Sequence, residues 1–443
     1  MLKKEALNTI KLSGPIILGE LTQMSLGLIN SAMVGHLGYH HLAAASLVNS
    51  VLNIPYVFGI GMTMSISQTV ATAHGQQDKQ KISHYLFNGL FLSAITAIVI
   101  SFLLEIGNPI VFHLRQDREV AKLASPYLRL MGFSVIPMLL FFALKQFTDG
   151  LELTRTAMLL SMLSMPLNVL LDWTFIFGHF GFKSYGLIGA GFGTLITRSL
   201  ILIALASIIF FHKTFRHYIA VRKHQWHIKW MTQKELLHIG VPSSIQAILE
   251  VGAFAVSGIL VGSLGAVELA AHQIAIQLAS FTFMVSLGLA QGSSIRIGNA
   301  FGRKDWPLIH NIGKSTYITG LMYGVLCAIL FILMRNQLPL IFTKDFAVLK
   351  LAGALLFLAA VFQISDATQA IGVGVLRGIK DVKAPTIFMT ISYWALGIPL
   401  GWILAKYLNM GVYGIWIGFV IGLTFTAILL FFRFKKIISR ARK

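Results

Sequence analysis

Apolar residues run along this chain in long stretches, broken by short clusters of Gly, Pro and charge. A helix needs about 20 apolar residues, at about 1.5 Å of rise each, to cross about 30 Å of hydrocarbon. Twelve runs meet that length, near 13–36, 46–71, 86–108, 125–148, 156–178, 186–212, 238–263, 273–295, 312–334, 350–374, 384–405 and 412–433. The pattern predicts an all-α integral membrane protein of twelve transmembrane helices. The first run begins after Lys3, Lys4 and Lys11 and contains Glu20, Gln23 and Asn30, so it reads as a working span, not a cleaved signal or a plain anchor.

Sliding the chain against itself by 227 residues aligns Pro15 with Pro242, Val34-Gly35 with Val261-Gly262, Leu42-Ala43-Ala44 with Leu269-Ala270-Ala271, Gly61 with Gly288 and Asp78 with Asp305. Looser echoes follow: Asp149-Gly150 lies opposite Arg377-Gly378, and the spacing Gly186, Gly189, Gly193 recurs as Gly411, Gly414, Gly418. Each repeat holds six spans, an even number, so the halves share one orientation and are expected to be related by a pseudo-two-fold along the membrane normal. The expected organisation is an N-lobe over 1–212, a basic linker over 213–237 and a C-lobe over 238–443 with a basic tail. Two such bundles can rock to expose a central site alternately to either side.

Composition supports this reading. Hydrophobic residues make up 56% and charged residues 12%, about half the charge fraction of an ordinary soluble domain, which excludes a cytosolic enzyme. The one cysteine, Cys327, excludes an intramolecular disulfide and a cysteine-rich zinc site. The net charge of +20 sits in the hydrophilic breaks. Lys213, Arg216, Arg222, Lys223, Lys229 and Lys234 form one cluster, and Arg433, Lys435, Lys436, Arg440, Arg442 and Lys443 form the tail. Placing both termini in the cytoplasm puts these clusters, Lys79, Lys81, Arg303, Lys304, Arg377, Lys380 and Lys383 on that side, and leaves Arg115, Arg118, Lys122, Lys183, Arg335, Lys344 and Lys406 opposite. Loops 37–45 and 264–272 carry no Lys or Arg. The charge therefore reads as positive-inside orientation, with no nucleic-acid partner. His217, His224 and His227 lie among Arg and Lys in a polar loop and read as solvated groups, not metal ligands.

Ionisable groups inside spans are functional candidates, because each costs roughly 2.5–3.5 kcal/mol on insertion scales. Glu250 shares a helical stripe with Ser243, Gln246 and Ser257, and Asp366 is flanked by Gln363 and Gln369 at three-residue spacing. Asn168 and Asp172, four apart, extend a face with Ser161 and Ser164, while Glu20, Gln23 and Asn30 mark the first span. The competing reading for each acid is a buried hydrogen-bonded group with a packing role. Gly189-Ala190-Gly191-Phe192-Gly193 and Gly372-Val373-Gly374 look like fragments of nucleotide loops, but they lie in apolar spans, where small residues let helices approach. Walker A, HExxH and GxSxG patterns do not occur, so a transporter of this kind draws on an ion gradient and not on ATP hydrolysis.

The stretch from Gly14-Pro15 to Leu42-Ala43-Ala44, with Phe147-Thr148-Asp149-Gly150, Ala270-Ala271-His272-Gln273, Ser294-Ile295-Arg296-Ile297-Gly298 and Leu376-Arg377-Gly378, resembles the multidrug and toxic compound extrusion family, in its NorM-like bacterial branch. The resemblance covers nearly the whole chain. It implies a V-shaped pair of six-helix lobes in a bacterial inner membrane, a monomer exporting cationic amphipathic compounds in exchange for Na⁺ or H⁺, with no cofactor. Glu250 and Asp366 match the family's acidic positions in the seventh and tenth helices, which makes them the place for Na⁺, and Asn168 and Asp172 resemble an N-lobe proton pair. Asn30 stands where many bacterial members have Asp, and Ser294, Arg296 and Gly298 are expected in a structural turn. A lipid-linked-sugar flippase of the same superfamily would need a strongly cationic cavity, whereas the intramembrane charges singled out here are mostly acidic. The loop His74-Gly75-Gln76-Gln77-Asp78-Lys79 lacks the Asp-Arg-x-Gly-Arg pattern of major-facilitator transporters, and a polytopic membrane enzyme would need catalytic acids and His clustered at one depth.

The topology is testable by cysteine labelling. Cysteines introduced in 37–45 are expected to react with an impermeant reagent from outside, and those in 213–237 only after permeabilisation. Labelling of both from the same side would contradict the assignment.

Overall fold

A bilayer core offers no water to an open backbone, so spanning segments must satisfy their hydrogen bonds internally, and a helix does so within one segment. The computed structural model, which describes residues 2–113, 117–219 and 227–441, is helical accordingly. Twelve helices among the described residues are long and apolar enough to cross a membrane. They are α1 (Leu2–Gly35), α2 (Tyr39–Gly75), α3 (Lys79–His113, ending in a 3₁₀ turn), α4 (Arg118–Gly150), α5 (Thr154–Phe177), α6 (Leu187–Phe211), α7 (Trp230–Gly262), α8 (Ala266–Gly302), α9 (Trp306–Leu333), α10 (Phe346–Gly378), α11 (Lys383–Lys406) and α12 (Val412–Ala441). Each expected run lies on one of these helices. Several helices extend well past their apolar runs, α1 by a whole amphipathic segment at its start, because a helix keeps its internal hydrogen bonds beyond the hydrocarbon. Arg115, Arg222, Lys223, His224, Arg442 and Lys443 lie outside the described residues.

The repeat seen in the sequence is a repeat of local structure. Asp78 and Asp305 both cap helices, accepting from the backbone N–H of Lys81 at 3.0 Å and of Leu308 at 2.9 Å. The residues just before them, Gln77 and Lys304, share a left-handed backbone with φ of 56° and 59°. Gly61 packs on Ser244, and its repeat mate Gly288 packs on Ile17, which is Ser244's own mate at the same offset. A side chain at either glycine would collide with backbone, so both positions admit only hydrogen.

The chain forms two compact units, one of Met1–Ile17 with Ile245–Lys443 and the other of Leu18–Ser244. The divisions fall inside α1 and α7, beside Pro15 and Pro242, and not at the linker. Specific polar contacts account for this membership. In the first unit, Arg296 of α8 donates to the carbonyl of Glu5 at 2.8 Å and to Thr9 Oγ1 at 2.7 Å, and it pairs with the Glu5 carboxylate. Arg296 thus lies in continuous helix where a turn was expected, and it anchors the start of α1. In the second unit, Gln233 Nε2 donates to the carbonyl and to Oδ1 of Asn88, both at 3.1 Å, and Tyr85 Oη donates to Glu235 at 2.8 Å.

The core of the first unit is built from α7 to α12 around Trp416, Phe419, Tyr393, Leu355 and Leu356. The second unit's core includes one cluster around Leu128, Leu139 and Val48, another around Phe141, Phe147 and Leu86, and a small one of Met62, Leu92 and Leu236. It also buries an ionic cluster that the sequence reading did not single out. Lys145 Nζ of α4 lies 3.1 Å from Glu20 Oε1 of α1 and 3.5 Å from Asp149 Oδ2 one turn on. Glu20 is therefore half-buried against a cation.

Removing the cation should strand two carboxylates. Lys145→Met is expected to lower stability by on the order of 3–5 kcal/mol, the usual loss when one partner of a buried pair is deleted. Adding Glu20→Gln and Asp149→Asn should recover most of it. Thermal unfolding in detergent would read both. A triple variant as unstable as the single would show that Lys145 acts by packing and not by charge.

Candidate functional site

Two sets of polar side chains stand out, one inside each unit. In the first unit, α7 supplies Glu250, half-buried, and α10 supplies Asp366, 2% exposed. Their charges lie close enough to repel each other, and that of Arg377, in the last turn of α10, attracts Glu250. The sequence had treated Arg377 as a loop cation; the helix runs on through it and buries it.

Helix α11 completes this set. Its middle, Thr390–Gly397, is a π-helical segment whose wider turn buries Ser392 and Tyr393. Such π turns inside helices are frequent at functional sites. Tyr393 Oη donates to Gln369 Oε1 at 3.1 Å, and both acids act electrostatically on that hydroxyl. Gln363, 1% exposed, presents a buried Nε2 with no hydrogen-bond partner among the described residues. Gln246, from the Glu250 stripe, donates to the carbonyl of Val382 at 2.9 Å and to Thr386 Oγ1 at 2.8 Å, so it ties α7 to the start of α11.

Ser257 belongs to a different chain of contacts. Trp416 Nε1 donates to His272 Nδ1 at 3.2 Å, which makes Nδ1 the acceptor and leaves the Nε2 proton to face Ser257 Oγ at 3.4 Å. Ser257 Oγ in turn donates to the carbonyl of Phe254 at 2.7 Å. Ser243, the remaining member of the expected stripe, falls in the other unit.

In the second unit a cavity of about 160 Å³ is lined by Gln23, Asn30, Tyr56, Tyr127, Asn168 and Arg198, with Phe141, Phe142, Met131 and Met138 among its apolar walls. Three expected residues, Gln23, Asn30 and Asn168, thus converge on one space. Asn168 Nδ2 donates to Thr197 Oγ1 at 3.4 Å, while the Oδ1 atoms of Asn30 and Asn168 are buried without a donor among the described residues. Asp172 lies one turn further along α5, fully buried, and neither of its oxygens has a hydrogen-bond partner among the described residues. Gly193 of α6 packs against it so closely that any side chain there would strike the Asp172 carboxylate.

Arg198, Lys145 and Tyr393 are polar residues that sequence reading passed over, and His272 entered it only as part of a family motif. Arg198 and Lys145 each interrupt an apolar run, so the rule that exposed Glu250 and Asp366 applies to them as well. They also alter one premise: the intramembrane charges are of both signs, not mostly acidic. Nothing in the sequence marks the π segment that buries Tyr393.

No cluster of three or more His, Cys, Asp or Glu side chains suited to a metal ion occurs among the described residues.

Comparison with known proteins agrees with this architecture. The family model MatE matches residues 15–174 and 242–403, one match in each repeat. The chain is 33% identical over 437 residues to the probable multidrug resistance protein NorM of Rhizobium meliloti, covering 98% of this chain and 93% of that protein. It is 33% identical over 442 residues to the multidrug resistance protein NorM of Vibrio cholerae, with 97% and 94% covered. Among solved structures, an outward-facing multidrug resistance MATE family transporter of the MOP superfamily superposes with a TM-score of 0.92 at 21% identity, covering 99% of this chain and 97% of that one. A eukaryotic MATE transporter gives 0.89 at 21% identity, with 100% and 99% covered. Twelve membrane-spanning helices, an internally repeated architecture and full-length similarity to these multidrug transporters identify this chain as a member of the MatE family.

Proposed function

We propose that this protein exports amphipathic organic cations across a bacterial inner membrane in exchange for inward Na⁺ or H⁺, by alternating access, with both termini and the 213–237 segment in the cytoplasm and the monomer as the working unit. The observation that carries the reading is the placement of two acids, Glu250 and Asp366, on apolar helices within one unit, Asp366 buried and Glu250 half-buried. Two carboxylates so placed are relieved by one added positive charge, whether it comes from an organic cation, a sodium ion or a proton. An organic cation in a poorly solvated site needs such a counter-charge, because an unpaired ion there carries a penalty of several kcal/mol.

Competition follows from the shared carboxylates. Ion binding weakens the hold on the drug, and drug binding weakens the hold on the ion. Exchange of one monovalent ion for one monovalent organic cation moves no net charge and is driven by the ion's concentration gradient, whereas each further coupling ion per drug adds about 2.3 kcal/mol per 100 mV of membrane potential. Gln363, Gln369 and Tyr393 supply neutral oxygens and donors around the acids, so a sodium ion held by Glu250 and Asp366 would not depend on carboxylates alone.

Asp172 supports a second coupling site within the same reading, since its two buried oxygens have no donor among the described residues. Lipid-linked-sugar flipping is less well supported, because the cations buried among the described residues have carboxylates in reach: Lys145 has Glu20 and Asp149, and Arg377 has Glu250.

Proteoliposomes with an imposed Na⁺ or pH gradient, applied one at a time, test the mechanism. Glu250→Gln and Asp366→Asn are each expected to abolish gradient-driven efflux while the protein remains folded, because the amide keeps the shape and loses the charge. Equilibrium binding of a fluorescent organic cation should weaken as pH falls or as Na⁺ rises, and one of those dependences should vanish in Asp366→Asn. If instead it vanishes in Asp172→Asn, coupling lies in the second unit. Affinity indifferent to both ions would reject direct competition.

A further inference from the structure

His272 is a buried ionisable group that the export reading leaves without a task. It lies on α8 in the first unit, 1% exposed, between Trp416 of α12 and Ser257 of α7. Its repeat mate at the offset of 227 is Ala45, itself buried, so packing at this place in the repeat does not demand an imidazole. The imidazole belongs instead to the unit that holds Glu250 and Asp366.

His272 stands between a pocket and those acids. Glu268 precedes it by one turn of α8, and Val412 precedes Trp416 by one turn of α12; both line an open pocket of about 420 Å³, together with Leu351 of α10 and Tyr413. The turn 409–411 forms a wall, with Asn409 and Gly411 in left-handed backbone at φ of 53° and 55°. The N–H groups of Met410 and Gly411 donate back to the carbonyls of Leu404 and Ala405 at 3.2 and 3.1 Å, which holds that wall in place. On the topology proposed above, this end of the unit faces outside. In the other direction Ser257 shares a face of α7 with Phe254 and Glu250, at intervals of three and four residues. The Trp416 ring meets that of Phe362, one turn along α10 from Asp366, with centres 5.6 Å apart. The ionisable groups around His272 are thus Glu268, Tyr413 and the exposed Lys350 on the pocket side, and Glu250, Asp366 and Tyr393 on the inner side.

We propose that protons reach Glu250 from outside through this pocket, with His272 as the group that receives them first and opens the way. While His272 is neutral, Nδ1 accepts the Trp416 N–H and the indole closes the route. A proton taken from the pocket onto Nδ1 turns that acceptor into a donor, so two N–H groups oppose each other and the indole gives way. Water admitted along the Ser257 face carries a further proton to the Glu250 carboxylate, which becomes the neutral acid. Loss of the proton from Nδ1 restores the latch. His272 is therefore a positioning residue that acts through Trp416. The inference rests on the export reading and names the proton as its coupling ion.

The test is paired. In proteoliposomes loaded with a fluorescent organic cation, the wild type is expected to export it under an imposed pH gradient. His272→Asn, whose Oδ1 can still accept from Trp416 but takes up no proton, should lose most of that rate while its equilibrium affinity for the cation stays within about twofold. In full-length protein labelled with fluorotryptophan, the fluorine resonance that disappears in Trp416→Phe should shift on acidification in the wild type and hold still in His272→Asn. Unchanged pH-driven efflux in His272→Asn, or a Trp416 resonance that titrates there as in the wild type, would overturn the proposal. So would loss of organic-cation binding in that variant, which would make His272 a packing residue. Wild-type efflux under a Na⁺ gradient but not under a pH gradient would overturn it and leave the export reading standing, whereas efflux under neither would reject both.

Discussion

A charge inside hydrocarbon must find a partner or a use, and this constraint organises the polar interior of the protein. Three outcomes are visible. Lys145 is placed between Glu20 and Asp149, so a cation and two acids from α1 and α4 offset one another within hydrogen-bonding or ion-pairing distance. The charges of Glu250 and Asp366 repel each other, while that of Arg377 attracts Glu250. Arg198 is held only by hydroxyls and an aromatic face, so its charge is directed into a cavity. The first arrangement closes on itself, whereas the other two leave charge that is not fully offset within the protein.

The same constraint acts on the backbone. Because every spanning segment satisfies its own hydrogen bonds, the helices can be packed, bent and divided between units without exposing polar backbone. Pro15 and Pro242 lie beside the divisions in α1 and α7, where a missing N–H already weakens the ladder. The ends of these helices are secured by side chains: Arg296 on Glu5 and Thr9 in one unit, Asn88 on Gln233 and Tyr85 on Glu235 in the other. The π segment of α11 is a further use of this freedom, since a local change in helical pitch brings Tyr393 to Gln369 without breaking the span.

Much of this was legible in the residues themselves. Run length and the scarcity of charge dictated twelve helices, because the thickness of hydrocarbon sets the length of a span irrespective of neighbours. The offset of 227 predicted paired structure, and Asp78 with Asp305 and Gln77 with Lys304 show it, since caps and left-handed residues are decided by a few adjacent positions. The acids Glu250 and Asp366 were visible as polar positions on apolar faces. Lys145 and Arg198 obeyed the same rule and were within reach of it.

Tertiary structure alone decided the rest, because it depends on which helix faces which. Periodicity places Glu20 and Lys145 on their own helices but does not bring them together across a sequence separation of 125. It placed Ser257 on the stripe of Glu250, yet packing gave it to His272 and Trp416. It read Arg377 as a loop cation, and the continuation of α10 carried it inside to Glu250. The division of α1 and α7 between units likewise follows from partners remote in sequence, Arg296 and Asn88, and local pattern carries no information about pairings at that range.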